Sequence, residues 1–166
     1  MLKPLGSPLH IVLVSPRIPP NTGNVARLCA VTGCKLVLVE PLGFSIEDRW
    51  LKRAGLDYWP EVFLSLHRDW GAYLETYPSA RRFLFTARAE ASLYGARFQA
   101  GDHLVFGPET TGLPEEILRG GGSRSPALAI PMLPQRRSLN LSTAVGIAAY
   151  EALRQIACLS TEGGES

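Results

Sequence analysis

Residues 10–39 read HIVLVSPRIPPNTGNVARLCAVTGCKLVLV, and their pattern decides the fold. His10 to Ser15 and Lys35 to Val39 are short apolar runs bounded by proline, glycine or charge, as buried strands are. Between them, Thr22 to Thr32 reads as a helix closed by Gly33. Working outward, Glu61 to Ser65, Arg82 to Thr86, His103 to Gly107 and Ala127 to Ile130 repeat the strand pattern. Helices are predicted over Ile46 to Ala54, Arg68 to Tyr77 and Pro114 to Leu118. Strands alternating with helices imply an α/β class protein with a mostly parallel sheet flanked by helices.

The last predicted helix differs from the others. From Leu141 to Ile156 apolar residues recur at helical spacing, while Ser142, Ala144, Gly146, Ala148 and Ala149 keep its surface small. Such a helix suits tight packing on the sheet, or sharing between the sheet and a second subunit. Gly120 to Pro126 reads as a flexible loop and Leu159 to Ser166 as a polar tail, leaving one domain over residues 1–158.

The 166-residue length suits a single core, and 46% hydrophobic with 19% charged residues excludes a disordered chain. Met1 to Val14 lack the features of a signal peptide and no stretch approaches membrane-spanning length, so a soluble, cytoplasmic protein is expected. Cys29, Cys34 and Cys158 include no C-x-x-C pair and are expected as reduced thiols. Net charge is only +2, yet arginine outnumbers lysine 14 to 3. The forked guanidinium suits phosphates and stacked bases, although genomic composition bias would give the same count. Arg17 and Arg27, the Arg81, Arg82 and Arg88 group and the Arg136-Arg137 pair all sit beside predicted strand ends.

Several chemistries are disfavoured. His10, His67 and His103 lack metal-ligand spacing, and no Gly-x-Ser-x-Gly elbow occurs. Gly107 and Gly112 have P-loop separation, but Leu113 and Pro114 stand where Lys and Ser or Thr are needed. The Gly-x-Gly-x-x-Gly fingerprint is missing after the first strand. Three polar clusters remain, each following a predicted strand, where ligands of open α/β sheets bind. In the first, Pro16 to Arg27, Asn21 or Thr22 is placed to cap a helix, and Arg27 lies about one and a half turns inside it, where a phosphate would be attracted. The second, Phe106 to Pro114, is a rigid loop whose lone carboxylate, Glu109, needs a partner. The third, Ile130 to Ser142, runs into the last helix with a cap at Ser138 or Asn140. Each cluster also has a plain reading as a helix cap or turn.

Together and in this order, the clusters resemble the three motifs of the SPOUT class of RNA methyltransferases, nearest to the TrmL/YibK type acting on the tRNA wobble cytidine or uridine. The resemblance is carried by Ile18-Pro-Pro-Asn-Thr-Gly-Asn24, Arg27-Leu-Cys29, Arg53-Ala-Gly-Leu-Asp-Tyr58, Phe106-Gly-Pro-Glu-Thr110, Gly112-Leu-Pro114 and Arg137-Ser-Leu-Asn-Leu-Ser142. It implies a C-terminal deep trefoil knot, a homodimer, and S-adenosylmethionine bent inside the knot with S-adenosylhomocysteine as product. Phe85, Thr86, Gly107, Ile130, Met132, Ser138 and Leu139 fall on its cofactor-contacting positions; Asn21, Arg27, Glu109, Ser138 and Asn140 fall on catalytic or substrate-orienting ones. With no separate RNA-binding extension, the tRNA groove would draw on Arg17, Arg88 and Arg136. Thr111 departs from the pattern, since many relatives carry arginine there.

The implied reaction is attack of a ribose 2′-hydroxyl on a sulfonium methyl, which needs alignment and loss of a proton and calls for neither metal nor membrane. A guanidinium is a poor base, so Arg27 is expected to position phosphate and ribose and to stabilise the developing alkoxide. The competing expectations are 2′-O-methylation at another tRNA or rRNA nucleotide, and a knotted RNA-binding protein without catalysis.

Overall fold

The computed structural model describes residues 5–46, 62–120, 122–134 and 138–160. Strands β1 (His10–Val14), β2 (Lys35–Val39), β3 (Phe63–His67), β4 (Arg82–Phe85), β5 (His103–Phe106) and β6 (Ala127–Leu128) form an all-parallel sheet in the order β3-β2-β1-β5-β4-β6. Helices α1 (Pro19–Thr32), α2 (Trp70–Thr76), α3 (Glu115–Gly120) and α4 (Leu141–Ser160) cover it. Alternation along the strands sorts the core. Ile11, Leu13, Leu36, Leu38, Leu104 and Phe106 pack with Val25 and Cys29 of α1 and Val145, Ala148, Ala149 and Ala152 of α4. Val12, Val37, Leu84 and Val105 pack on the other face with Tyr73 of α2 and Ile117 of α3. Both faces are therefore apolar, which is why the strands read as unbroken hydrophobic runs.

The departures from the sequence reading have local causes. Helix α1 starts three residues earlier than predicted, because Pro19 and Pro20 occupy its first positions, where a missing N–H costs nothing. Its end is as predicted, with Gly33 in the left-handed region at φ 75°. Strand β3 runs two residues later, because it pairs with β2 from Leu36↔Phe63 to Val39↔His67, and Ser65 Oγ and His67 Nε2 satisfy one another at 2.9 Å. Strand β6 stops at Leu128 because Ala129 turns to the segment after β4, donating to Ala91 O and accepting from Leu93 N, both at 2.8 Å. The predicted flexible loop holds a 3₁₀ turn over Gly122–Arg124, and α4 continues to Ser160, into the predicted tail. The predicted helix from Ile46 to Ala54 lies outside the described residues apart from Ile46, and the Arg53 to Tyr58 motif lies wholly outside them. Cys29 and Cys34 are free and buried. Among the described residues no helix is long and apolar enough to cross a membrane.

Strand order reverses between β1 and β5, so the loops leaving their carboxyl ends diverge around a switch-point crevice. At the opposite edge, Lys35, His10, His103 and Arg82 stand in register on four adjacent strands. Arg82 is buried against the carbonyls of Ala80 and Tyr77 and lies 5.3 Å from the centre of the Tyr73 ring. His103 Nδ1 shares a 2.7 Å hydrogen bond with Tyr73 Oη, and the His10 ring is centred 4.2 Å away. Burial first, then the nearby His10 and Arg82, lowers the His103 pKa to about 3. Burial, then Lys35, lowers His10, and burial lowers His67.

These histidines fold in the neutral form. Their contribution is fully present above the unfolded value near 6.5 and is lost as pH falls towards the folded values. His103 alone then costs about 2 kcal/mol of stability between pH 7 and pH 5. Denaturant unfolding at the two pH values is expected to show at least that loss, and His103→Gln to reduce the difference.

Candidate functional site

Glu109 sits in the loop after β5 and reaches the loop after β1. Its carboxylate accepts from Arg17 N at 2.9 Å, Ile18 N at 3.0 Å and Asn21 Nδ2 at 3.2 Å. Pro19 and Pro20 bring no N–H to the mouth of α1, so the two amides just before them take the anion, which also lies at the positive end of the helix. The line continues. Asn140 Nδ2 donates to Asn21 Oδ1 at 3.0 Å, and Asn140 Oδ1 accepts from Ser142 N at 2.9 Å, capping α4. Three loops far apart in sequence are thus joined by hydrogen bonds.

This corrects part of the sequence reading. The N-cap of α1 is Ile18, not Asn21 or Thr22, and Asn21 turns its side chain to the other loops instead. Arg27 is eight residues into α1, roughly 12 Å along its axis, so the helix terminus is held by Glu109 rather than offered to a phosphate beside Arg27. Arg27 is exposed, and among the described residues its guanidinium has no hydrogen-bond or ionic partner.

Below this junction lies a pocket of about 230 Å³ at the carboxyl ends of β4, β5 and β6. All seven residues placed at cofactor positions by resemblance line it: Phe85, Thr86, Gly107, Ile130, Met132, Ser138 and Leu139. Phe106 and Leu141, from the second and third clusters, line it as well, together with Leu128 and Ala144. Phe85 and Phe106 stack at 4.7 Å with their planes 8° apart, forming a flat aromatic wall. Each is the last apolar residue before a polar loop, a signal that spacing alone could have raised. Among the described residues, the charged groups of the lining are Glu109 and Arg88, and Arg88 Nη1 pairs with Glu115 Oε1 at 2.7 Å. Asn21 and Asn140 connect to the pocket through Glu109. The Arg17 side chain is exposed, and Arg136 lies outside the described residues.

Backbone shape sets the loops. A side chain on Gly107 would overlap the Gly112 carbonyl carbon and the Leu113 nitrogen, and Gly112 itself has φ 69°. Ser15 takes φ 49°, unusual for a non-glycine residue, where β1 turns into its loop. Gly43, beyond β2, lies so close to this loop that a Cβ would fall 2.7 Å from Arg17 Cα, and its N–H donates to Pro16 O at 2.9 Å. No spacing rule in the sequence pointed to Gly43.

Residues 8–150 match the model of the SpoU rRNA methylase family. The chain belongs to the SpoU methylase family. A tRNA (cytidine(34)-2′-O)-methyltransferase of Burkholderia cenocepacia is 49% identical over 148 residues, covering 88% of this chain and 94% of that protein. A solved structure described as giving insights into 2-OH methylation of C/U34 on tRNA is 57% identical, covers 90% of this chain and 96% of its own, and superposes with a TM-score of 0.83. An AdoMet-bound rRNA methyltransferase from Sinorhizobium meliloti, 21% identical, shares the fold at a TM-score of 0.78 over 92% of this chain and 58% of its own. In this SpoU-family chain the family match spans all three polar clusters and nearly all described elements.

Three results are expected. Gly107→Ala prevents the 107–113 loop from closing, so ligand binding in the pocket is lost and the thermal midpoint falls. Glu109→Ala removes the charge-assisted hydrogen bonds to the Arg17 and Ile18 amides and costs about 2 kcal/mol, read as a midpoint drop of about 4–8 °C. Asn140→Ala combined with Glu109→Ala should cost less than the sum of the single changes, since both interrupt one hydrogen-bonded line.

Proposed function

We propose that this SpoU-family chain transfers a methyl group to the ribose 2′-hydroxyl of the wobble nucleotide of tRNA, cytidine or uridine 34. One observation carries the reading. The near-full-length likeness to enzymes and structures of that activity runs through the three clusters that Glu109 joins above a single pocket. The residues fit S-adenosylmethionine. Phe85, Phe106, Leu128 and Ile130 give apolar walls for a purine and for the methylene groups beside the sulfonium, while Thr86, Ser138 and the loop backbone add polar partners. When bound, the cofactor supplies a sulfonium methyl open to displacement and leaves as S-adenosylhomocysteine.

The chain's own residues then orient and stabilise. Glu109 keeps the first two loops at fixed separation, and Asn21 and Asn140 carry that constraint to the start of α4. Ser138 on the pocket wall faces cofactor and ribose. Arg27, free of protein partners among the described residues, holds a substrate phosphate and the ribose and stabilises charge on the 2′-oxygen as its proton leaves to solvent and the new C–O bond forms. Arg17 and Arg88 offer exposed guanidiniums to the RNA, and Arg136 joins them by its place in the family pattern. The exposed Arg88–Glu115 pair is worth at most about 1 kcal/mol, so an RNA phosphate can take the place of Glu115.

The segment from β6 to α4 is tied in a trefoil knot in this reading. Its support is that residue 129 bridges to the segment after β4 while α4 returns to pack on β5 and α1. A homodimer and a cytoplasmic site of action complete the proposal. The dimer is supported by the unused surface of α4 and α1, where Gly146 faces open space and Tyr150 and Val31 are exposed.

Purified protein, methyl-labelled cofactor and unmodified tRNA, followed by digestion and mass spectrometry, are expected to place the label on the ribose of nucleotide 34. Label elsewhere would overturn the substrate, and no transfer with cofactor bound would overturn the activity. Arg27→Ala is expected to abolish turnover without altering the thermal midpoint, and Arg27→Lys to keep part of it. Full activity of the alanine variant would remove Arg27 from the mechanism.

A further inference from the structure

At the end of β4 and β6 remote from the pocket, Arg81, Arg97 and Arg124 surround an open cleft of about 680 Å³ with Ser79, Phe83 and Pro126. The three guanidiniums are not equivalent. Arg81 is pinned: its Nε lies 3.1 Å from Asp102 Oδ1, its Nη2 donates to Arg97 O at 2.8 Å, and it lies 5.5 Å from the centre of the Phe83 ring. Asp102 is 2% exposed and is further occupied in accepting from Gln99 N at 2.7 Å, so it cannot neutralise another arginine. Arg97 and Arg124 are exposed, and among the described residues neither guanidinium has a hydrogen-bond or ionic partner. Among those residues no acidic side chain lines the cleft. Two loose cations beside a fixed one, with a hydroxyl at the rim, form a surface for several anionic groups at once rather than for one carboxylate.

We propose that this cleft holds the phosphate backbone of the RNA substrate, away from the nucleotide being methylated. The inference rests on the tRNA reading above and extends it. Strand β4 separates the two places: from Arg82 to Phe85 is three steps, roughly 10 Å. A nucleic-acid duplex carries a charge about every 2 Å of its axis, so a stem leaving the pocket along this sheet edge brings phosphates to the cleft. The guanidinium fork matches a phosphate in two directions and tolerates any base sequence. The cleft therefore contributes affinity and orientation without choosing the nucleotide.

The test compares the full-length protein with the double variant Arg97→Gln/Arg124→Gln and with Arg97→Lys/Arg124→Lys. Binding of a tRNA transcript is measured by fluorescence anisotropy over about 50–250 mM KCl, and methyl transfer is measured on the same transcript. The glutamine variant is expected to lower the slope of log affinity against log salt by about 2, one for each phosphate that its arginine no longer neutralises. Its KM for tRNA should rise at least fivefold while kcat, cofactor affinity and thermal midpoint stay within twofold or 1 °C of wild type. The lysine variant should restore most of the slope. Unchanged slope and KM in a folded glutamine variant, with wild type methylating nucleotide 34, overturn the cleft and leave the tRNA reading intact. Absence of transfer by wild type overturns that reading, while the salt slope still decides whether RNA occupies the cleft. Loss of binding to polyglutamate with RNA binding intact would assign the cleft to an acidic protein and overturn the proposal.

Discussion

The site depends on a constraint at the mouth of α1. A helix that opens Ile18-Pro19-Pro20 has no N–H at its first two positions, so an anion there must be met by the amides that precede it. Glu109 meets them from a loop 91 and 92 residues away in sequence. The prolines thus do more than start a helix. They leave the Arg17 and Ile18 amides as the donors at that end, and this fixes where the β5 loop must lie. Gly107 permits the same loop to fold back on Gly112 and Leu113, so the carboxylate arrives from a rigid support. A charge-assisted hydrogen bond made by a stiff loop on a stiff loop defines distance better than a flexible surface pair does.

The polar device at the other edge of the sheet follows a different logic. Arg82 is buried with carbonyl and aromatic neighbours and, among the described residues, no carboxylate, and two histidines stand in register beside it. A cationic row of this kind is tolerable only while the imidazoles stay neutral, since each proton gained would add a like charge in a poorly solvated place. The sheet therefore ends in one polar row that burial keeps uncharged at the histidines, and in one polar crevice that hydrogen bonds hold together.

The architecture is legible because β1, β2, β4 and β5 are buried along nearly their whole length and α1 carries a proline start and a glycine stop. The run from Lys35 to Val39 coincides with β2 to the residue, while boundaries shift elsewhere, where prolines open α1 and where the Ala129 backbone bonds to the segment after β4. The pocket was less legible from the residues alone. Three polar clusters after strands announced a crevice, but the pairing of Glu109 with backbone amides leaves no mark on composition. The resemblance supplied the lining, and all seven of its pocket residues lie together. What neither route supplied was support from outside the motifs. Gly43 and Ser15 act through backbone proximity and dihedral angle, which neither periodicity nor residue type encodes.

The hydrogen-bonded line from Glu109 through Asn21 to Asn140 spans 119 residues of sequence at its longest link. Local helices and strand pairs draw on neighbouring residues, but this line closes only when the start of α4 meets the first turn of α1. The crevice is therefore completed by contacts between distant segments, so a local opening that parts Asn140 from Asn21 loosens the crevice while the strand pairing of the sheet stays intact.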